Sequence, residues 1–267
     1  MTGILIAFAV VAAVGLFVGV LLALASHFFG VEEDVRVKDL RGMLPGINCG
    51  ACGFKGCDDY AAALAAGITT PDKCVPGAAD VAGELADYLG VEAKALQGEV
   101  AFVHCNRCHA PTASSNTYEG VMTCKAASML YGGPEACTYA CLGLGDCAAV
   151  CPANAICLRD GIAHIDTVRC LGCGLCVTVC PKHVIGMVPQ DARTVVMCSS
   201  HDKGAVARKK CTNACIACKK CEKTCPNGAI LVVNNLATVD YEKCDGCGLC
   251  NDVCPTGGLR SLILPNE

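Results

Sequence analysis

The chain has 267 residues, 26 of them cysteine, with 53% hydrophobic and 4% aromatic residues, no tryptophan and a formal net charge of −4. The acidic balance argues against a nucleic-acid partner, and so little aromatic bulk leaves only small cores that bound metal must reinforce. Disulfide scaffolds are short secreted chains, whereas these cysteines recur in regular triplets, so metal-binding thiolates in a reducing compartment are expected.

The first element is apolar. From Ile4 to Ala25 there are 22 residues without a charged or strongly polar side chain, about 33 Å of helix at 1.5 Å per residue, enough for a hydrocarbon core of roughly 30 Å. The stretch is too long for a signal-peptide core and no basic segment precedes it. Arg36, Lys38 and Arg41 follow closely, so the positive-inside rule predicts a single-pass anchor in the cell membrane with its N-terminus outside and the remainder cytoplasmic.

Next come Cys49, Cys52, Cys57 and Cys74, spaced x2, x4 and x16. These four thiolates read as one [4Fe–4S] site, with glycines at 50, 53 and 56 letting backbone amides approach the sulfurs. Helices are expected over 58–66 and 78–89.

Beyond residue 120 the chain repeats itself. A shift of 74 carries Cys124, 137, 141, 147, 151, 170, 173, 176 and 180 onto Cys198, 211, 215, 221, 225, 244, 247, 250 and 254. Three strings have the form C-x2-C-x2-C-x3-C-P, starting at Cys170, Cys215 and Cys244. In such strings the first three thiolates wrap one cube while the fourth, turned away by its proline, reaches the neighbouring one. Each repeat therefore reads as a two-cluster ferredoxin module, with a β-like stretch and its return between the strings, at 155–165 and 229–239. One position departs: Leu144 stands where the shift from Cys218 requires a cysteine, and Cys137 is expected to substitute. The ligand sets are then Cys137, Cys141, Cys147 with Cys180; Cys170, Cys173, Cys176 with Cys151; Cys215, Cys218, Cys221 with Cys254; and Cys244, Cys247, Cys250 with Cys225. With the first site these make five [4Fe–4S] clusters. Cys105, Cys108, Cys124, Cys157, Cys198 and Cys211 remain; Cys105, Cys124, Cys198 and Cys211 could build a sixth cluster between the repeats, the alternative being buried thiols.

Other patterns carry less. Cys105-Asn-Arg-Cys108-His109 is a literal haem-attachment sequence, but attachment needs an exported segment. Gly143-Leu-Gly-Asp-Cys-Ala148 lies between cluster ligands rather than after a strand, so it is no dinucleotide fingerprint. Neither an NAD nor a flavin site nor an acid–base constellation is visible. Between Lys203 and Lys223 seven basic residues face Glu222 alone; Lys209, Lys210, Lys219 and Lys220 would steer an acidic electron carrier.

The order of these parts resembles the B subunits of the Rnf complexes, ion-translocating ferredoxin:NAD oxidoreductases of bacterial membranes. The likeness rests on the N-terminal helix, on Leu44-Pro-Gly-Ile-Asn-Cys49-Gly-Ala-Cys52-Gly with Cys57 and Cys74, on Cys141-Leu-Gly-Leu-Gly-Asp-Cys147, and on the paired ferredoxin strings. It implies electron transfer from reduced soluble ferredoxin to other membrane and peripheral subunits and ultimately NAD, coupled to Na+ or H+ translocation, with no catalytic residues on this chain. A membrane-anchored polyferredoxin of another hydrogenase or dehydrogenase complex is the alternative. The expected fold is α+β: an anchor over 1–30, a small helical [4Fe–4S] domain over 31–90, a connecting segment over 91–123, and two tandem ferredoxin modules over 124–190 and 191–267.

Overall fold

A computed structural model describes residues 2–28, 34–92, 98–107 and 116–261; Cys108 and His109 lie outside them. Helix α1, Thr2–Phe28, is long and apolar enough over Thr2–Ala25 to cross a membrane. Large side chains such as Val11, Leu16, Phe17 and Leu22 are exposed along it, as a lipid-facing helix requires.

Three helices build the next unit. Helix α2, Val35–Met43, begins where the Asp34 carboxylate accepts a hydrogen bond from the Arg36 amide at 2.9 Å. Helix α3, Cys57–Ala65, packs on it, and α4, Ala78–Leu89, stops at Gly90, whose left-handed backbone caps the helix. Leu40, Leu44, Tyr60, Leu64 and Leu85 close a core with Cys74. Burial pushes the Tyr60 phenol up to about 12, and its hydroxyl donates to the Thr70 carbonyl at 2.9 Å.

Strand β1, Glu99–Val103, lies in the segment read as a connector, but it pairs antiparallel with a strand of the first repeat. Along that repeat follow α5, Cys124–Met129; α6, Asp146–Ala149; β2, Ile156–Arg159; β3, Ile162–Ile165; α7, Leu175–Val179; and β4, Ile185–Pro189, the partner of β1. The second repeat runs β5, Thr194–Val196; α8, Gly204–Lys210; α9, Lys220–Thr224; β6, Ile230–Val233; β7, Leu236–Val239; α10, Leu249–Asp252; and β8, Leu259–Ser261. Here β5 pairs with β8 and β6 with β7, as β1 pairs with β4 and β2 with β3. Each repeat is thus two antiparallel ribbons with short helices, and the cysteines sit where helices and ribbons meet. Val100, Val188, Ala192, Val195 and Met197 form a further core joining β1 and β4 to β5.

Candidate iron–sulfur sites

Close approach of backbones shapes the cysteine loops. Gly143 has φ +66°, and a methyl group there would run into the Gly161 carbonyl, so the turn after Cys141 folds tightly onto the β2–β3 hairpin. Gly172, φ +65°, lies against the Glu99 carbonyl and has Val75 beside it. This contact seats the N-terminal unit on the first repeat, and Cys49 faces Cys173 across it.

Three expected quartets are brought together around cavities of one size. Cys49, Cys52, Cys57 and Cys74 line about 320 Å³. Cys151, Cys170, Cys173 and Cys176 line about 350 Å³, and Cys215, Cys218, Cys221 and Cys254 about 370 Å³. At the fourth, Cys225 and Cys244 stand near Cys250, while the exposed Cys247 lies on the same loop.

The remaining expected set is rearranged. Cys141, Cys147 and Cys180 do converge, but their fourth neighbour is Cys124, not Cys137. The Asp146 carboxylate accepts hydrogen bonds from the Cys124 and Lys125 amides at 2.9 and 3.0 Å and so holds the start of α5 over the site. Cys137 turns instead toward the second repeat, where it lines a cavity with Cys105, Cys198 and Cys211. The expected extra quartet of Cys105, Cys124, Cys198 and Cys211 thus has Cys137 in the place of Cys124. The physical reason lies in the chain path: Cys137 and Cys211 both stand four residues ahead of a cysteine string, so they share a role. Cys157 is exposed on β2 and joins no quartet.

These pockets suit clusters. Burial raises the Cys147 thiol to about 12, with Cys141, Cys124 and Cys180 adding to it. It also holds Cys176 and Cys221 near 11, so metal must displace a proton from each. Amides supply hydrogen bonds that tune sulfur: Ala155 to Cys151 at 3.3 Å, Ala229 to Cys225 at 3.3 Å and Gly258 to Cys254 at 3.2 Å. Lys219 and Lys220 line the Cys215 cavity beside the exposed Cys218. Of the basic run, Lys210 pairs with Asp202 at 2.9 Å and Lys219 with Glu222 at 3.7 Å, while Lys209 and Lys220 are exposed.

Such thiol sets on a ferredoxin-like framework define an iron–sulfur electron carrier. A family model for an Fe-S cluster matches residues 44–76, and one for a 4Fe-4S dicluster domain matches 169–229 and 214–258. Over 253 residues the chain is 39% identical to the B subunit of the ion-translocating oxidoreductase complex of Methanosarcina acetivorans, covering 94% of this chain and 96% of that one. The B subunit of the Na(+)-translocating ferredoxin:NAD(+) oxidoreductase complex of Acetobacterium woodii is 42% identical, covering 96% and 77%. Its counterpart in the proton-translocating complex of Clostridium ljungdahlii is 40% identical, covering 94% and 89%. The chain belongs to this family of B subunits of ion-translocating Rnf oxidoreductase complexes, and it serves there in electron transfer as an iron–sulfur protein. Coverage that includes the N-terminal unit disfavours an unrelated polyferredoxin.

Proposed function

We propose that this chain carries electrons from reduced soluble ferredoxin toward the NAD-reducing and ion-translocating subunits of its complex, with Na+ or H+ as the coupled ion. The observation that carries this reading is the gathering of thiols into quartets around cavities of similar size along the molecule. Five sets would hold [4Fe–4S] clusters: Cys49, Cys52, Cys57, Cys74; Cys124, Cys141, Cys147, Cys180; Cys151, Cys170, Cys173, Cys176; Cys215, Cys218, Cys221, Cys254; and Cys225, Cys244, Cys247, Cys250. When bound, the clusters supply reversible one-electron transfer without making or breaking bonds in a substrate. The protein's part is to ligate them, to keep water off the buried faces and to set potentials through amide hydrogen bonds and local charge. The two repeats act as two-cluster modules, and α1 anchors them with the sites on the cytoplasmic side, as Arg36, Lys38 and Arg41 favour.

Electron entry is assigned to the Cys215 site, where Cys218 is exposed beside Lys219 and Lys220. Lys209, Lys210, Lys219 and Lys220 attract an acidic ferredoxin. Replacing two exposed lysines of this run, Lys209→Glu with Lys220→Glu, should slow bleaching of the protein by reduced ferredoxin about tenfold at low salt and flatten its salt dependence. Unchanged rates in stopped-flow absorbance would move the entry point elsewhere, and no bleaching of the unaltered protein would remove ferredoxin as donor.

A further inference from the structure

We infer that Cys105, Cys137, Cys198 and Cys211 hold a sixth [4Fe–4S] cluster, to which the second repeat and the first repeat together with its β1 segment each contribute two thiolates, and that electrons pass between the repeats through it. This rests on the reading of the chain as a multi-cluster carrier.

Size is the first argument. The four thiols line a cavity of about 340 Å³ at the junction, within the 320 to 370 Å³ range of the three cavities lined by quartets proposed as ligands.

Symmetry is the second. Cys105 comes two residues after β1 and Cys198 two residues after β5. Between them the His104 amide donates to the Val184 carbonyl at 2.7 Å, and the Met197 amide to the Gly258 carbonyl at 2.8 Å. Val184 and Gly258 are repeat equivalents, so Cys105 and Cys198 are equivalents in space. Cys137 precedes Cys141 by four residues as Cys211 precedes Cys215, and the Ala140 and Ala214 amides donate to the Cys137 and Cys211 carbonyls at 3.0 and 3.2 Å. Each repeat therefore presents the same two thiols to the junction.

The sulfurs also receive amide hydrogen bonds like those at the other proposed sites. The Cys215 amide donates to Cys198 Sγ at 3.3 Å and the Ser200 amide to the same sulfur at 3.4 Å; the Cys141 amide donates to Cys105. The walls are cross-braced, with His104 Nδ1 bonded to the Val196 carbonyl at 2.7 Å and Asn213 Nδ2 donating to the Asn106 carbonyl at 2.8 Å. The same amide bonds mark the electron path. Cys141 and Cys215 belong to the neighbouring quartets, and each is tied by a single hydrogen bond to a junction thiol. With clusters bound, an electron would pass from the Cys215 site by way of Cys198 and Cys105 to the Cys141 site, or in reverse, with no proton or bond exchanged. The adjacent sites are then Cys49 with Cys173 and, through the junction, Cys141 with Cys215.

Iron and sulfide analysis of the full chain in detergent tests this. Six clusters require about 24 iron atoms per chain, and a count of about 20 in fully reconstituted protein overturns the inference. Cys137→Ala and Cys198→Ala should each lose about four irons, the two together the same four, and Cys137→Ala with Cys147→Ala about eight. A loss of eight from the first pair, or four from the second, overturns it as well. Protein devoid of iron would refute the carrier reading itself, and if the variants fail to fold, the count on the unaltered chain still decides.

Discussion

Leu144 shows how much one residue can redirect. With a leucine between Cys141 and Cys147, the first repeat lacks one cysteine of the pattern, and Cys124 lies near both, where Asp146 accepts two amides at the start of α5. Asp146→Ala should free those amides at a cost of about 1–2 kcal/mol, and the protein should shed about four irons from this site. Asp146→Asn, which keeps an acceptor, should retain them; full iron and an unchanged thermal midpoint in the alanine variant would show that Asp146 does not position Cys124. The spacing of the other quartets was legible because C-x2-C geometry is local. The exchange of Cys124 and Cys137 was not, since it depends on a carboxylate 22 residues from the thiol it places. A signal did exist: Cys137 has Cys211 as its repeat partner, and Cys211 stands outside the complete string that begins at Cys215.

Among the elements, α4 and the β2–β3 and β6–β7 hairpins were readable from periodicity and flanking turns. Strand β1 was not. Its five residues have no cysteine string to mark them, and their partner β4 lies across the whole first repeat. Yet β1 and β5 place the thiols that follow them and build the core between repeats with Val188 of β4. Val195 is completely buried in that core. Val195→Ala should destabilise the soluble part by about 2 kcal/mol, lowering the thermal midpoint by a few degrees at equal iron content. An unaltered midpoint would mean that β5 is held by its flanking thiols rather than by packing.

In the whole molecule the soluble part divides its apolar interior among several small clusters of side chains, none large enough to hold a domain of its length alone. Ligand sets that span distant elements must contribute the rest. Removing iron with a chelator under oxidising conditions should abolish most far-ultraviolet circular dichroism except that of α1, and reconstitution with iron and sulfide should restore it. Persistence of the signal after complete removal would assign stability to packing instead.

The spread of each thiol set along the chain also has a meaning in time. The first set closes at Cys74, the next at Cys176, and the others at Cys180, Cys211, Cys250 and Cys254, so a growing polypeptide completes its pockets one by one from the anchored end outward. The first spans 26 residues, as do the sets from Cys151 to Cys176 and from Cys225 to Cys250, so these three have the shortest loops to close. The junction set cannot be completed until the second repeat has begun to emerge. Delivery of iron and sulfide to a ribosome-bound chain would therefore fill the near end first, and a truncated chain that stops before Cys211 would carry a junction of three thiols.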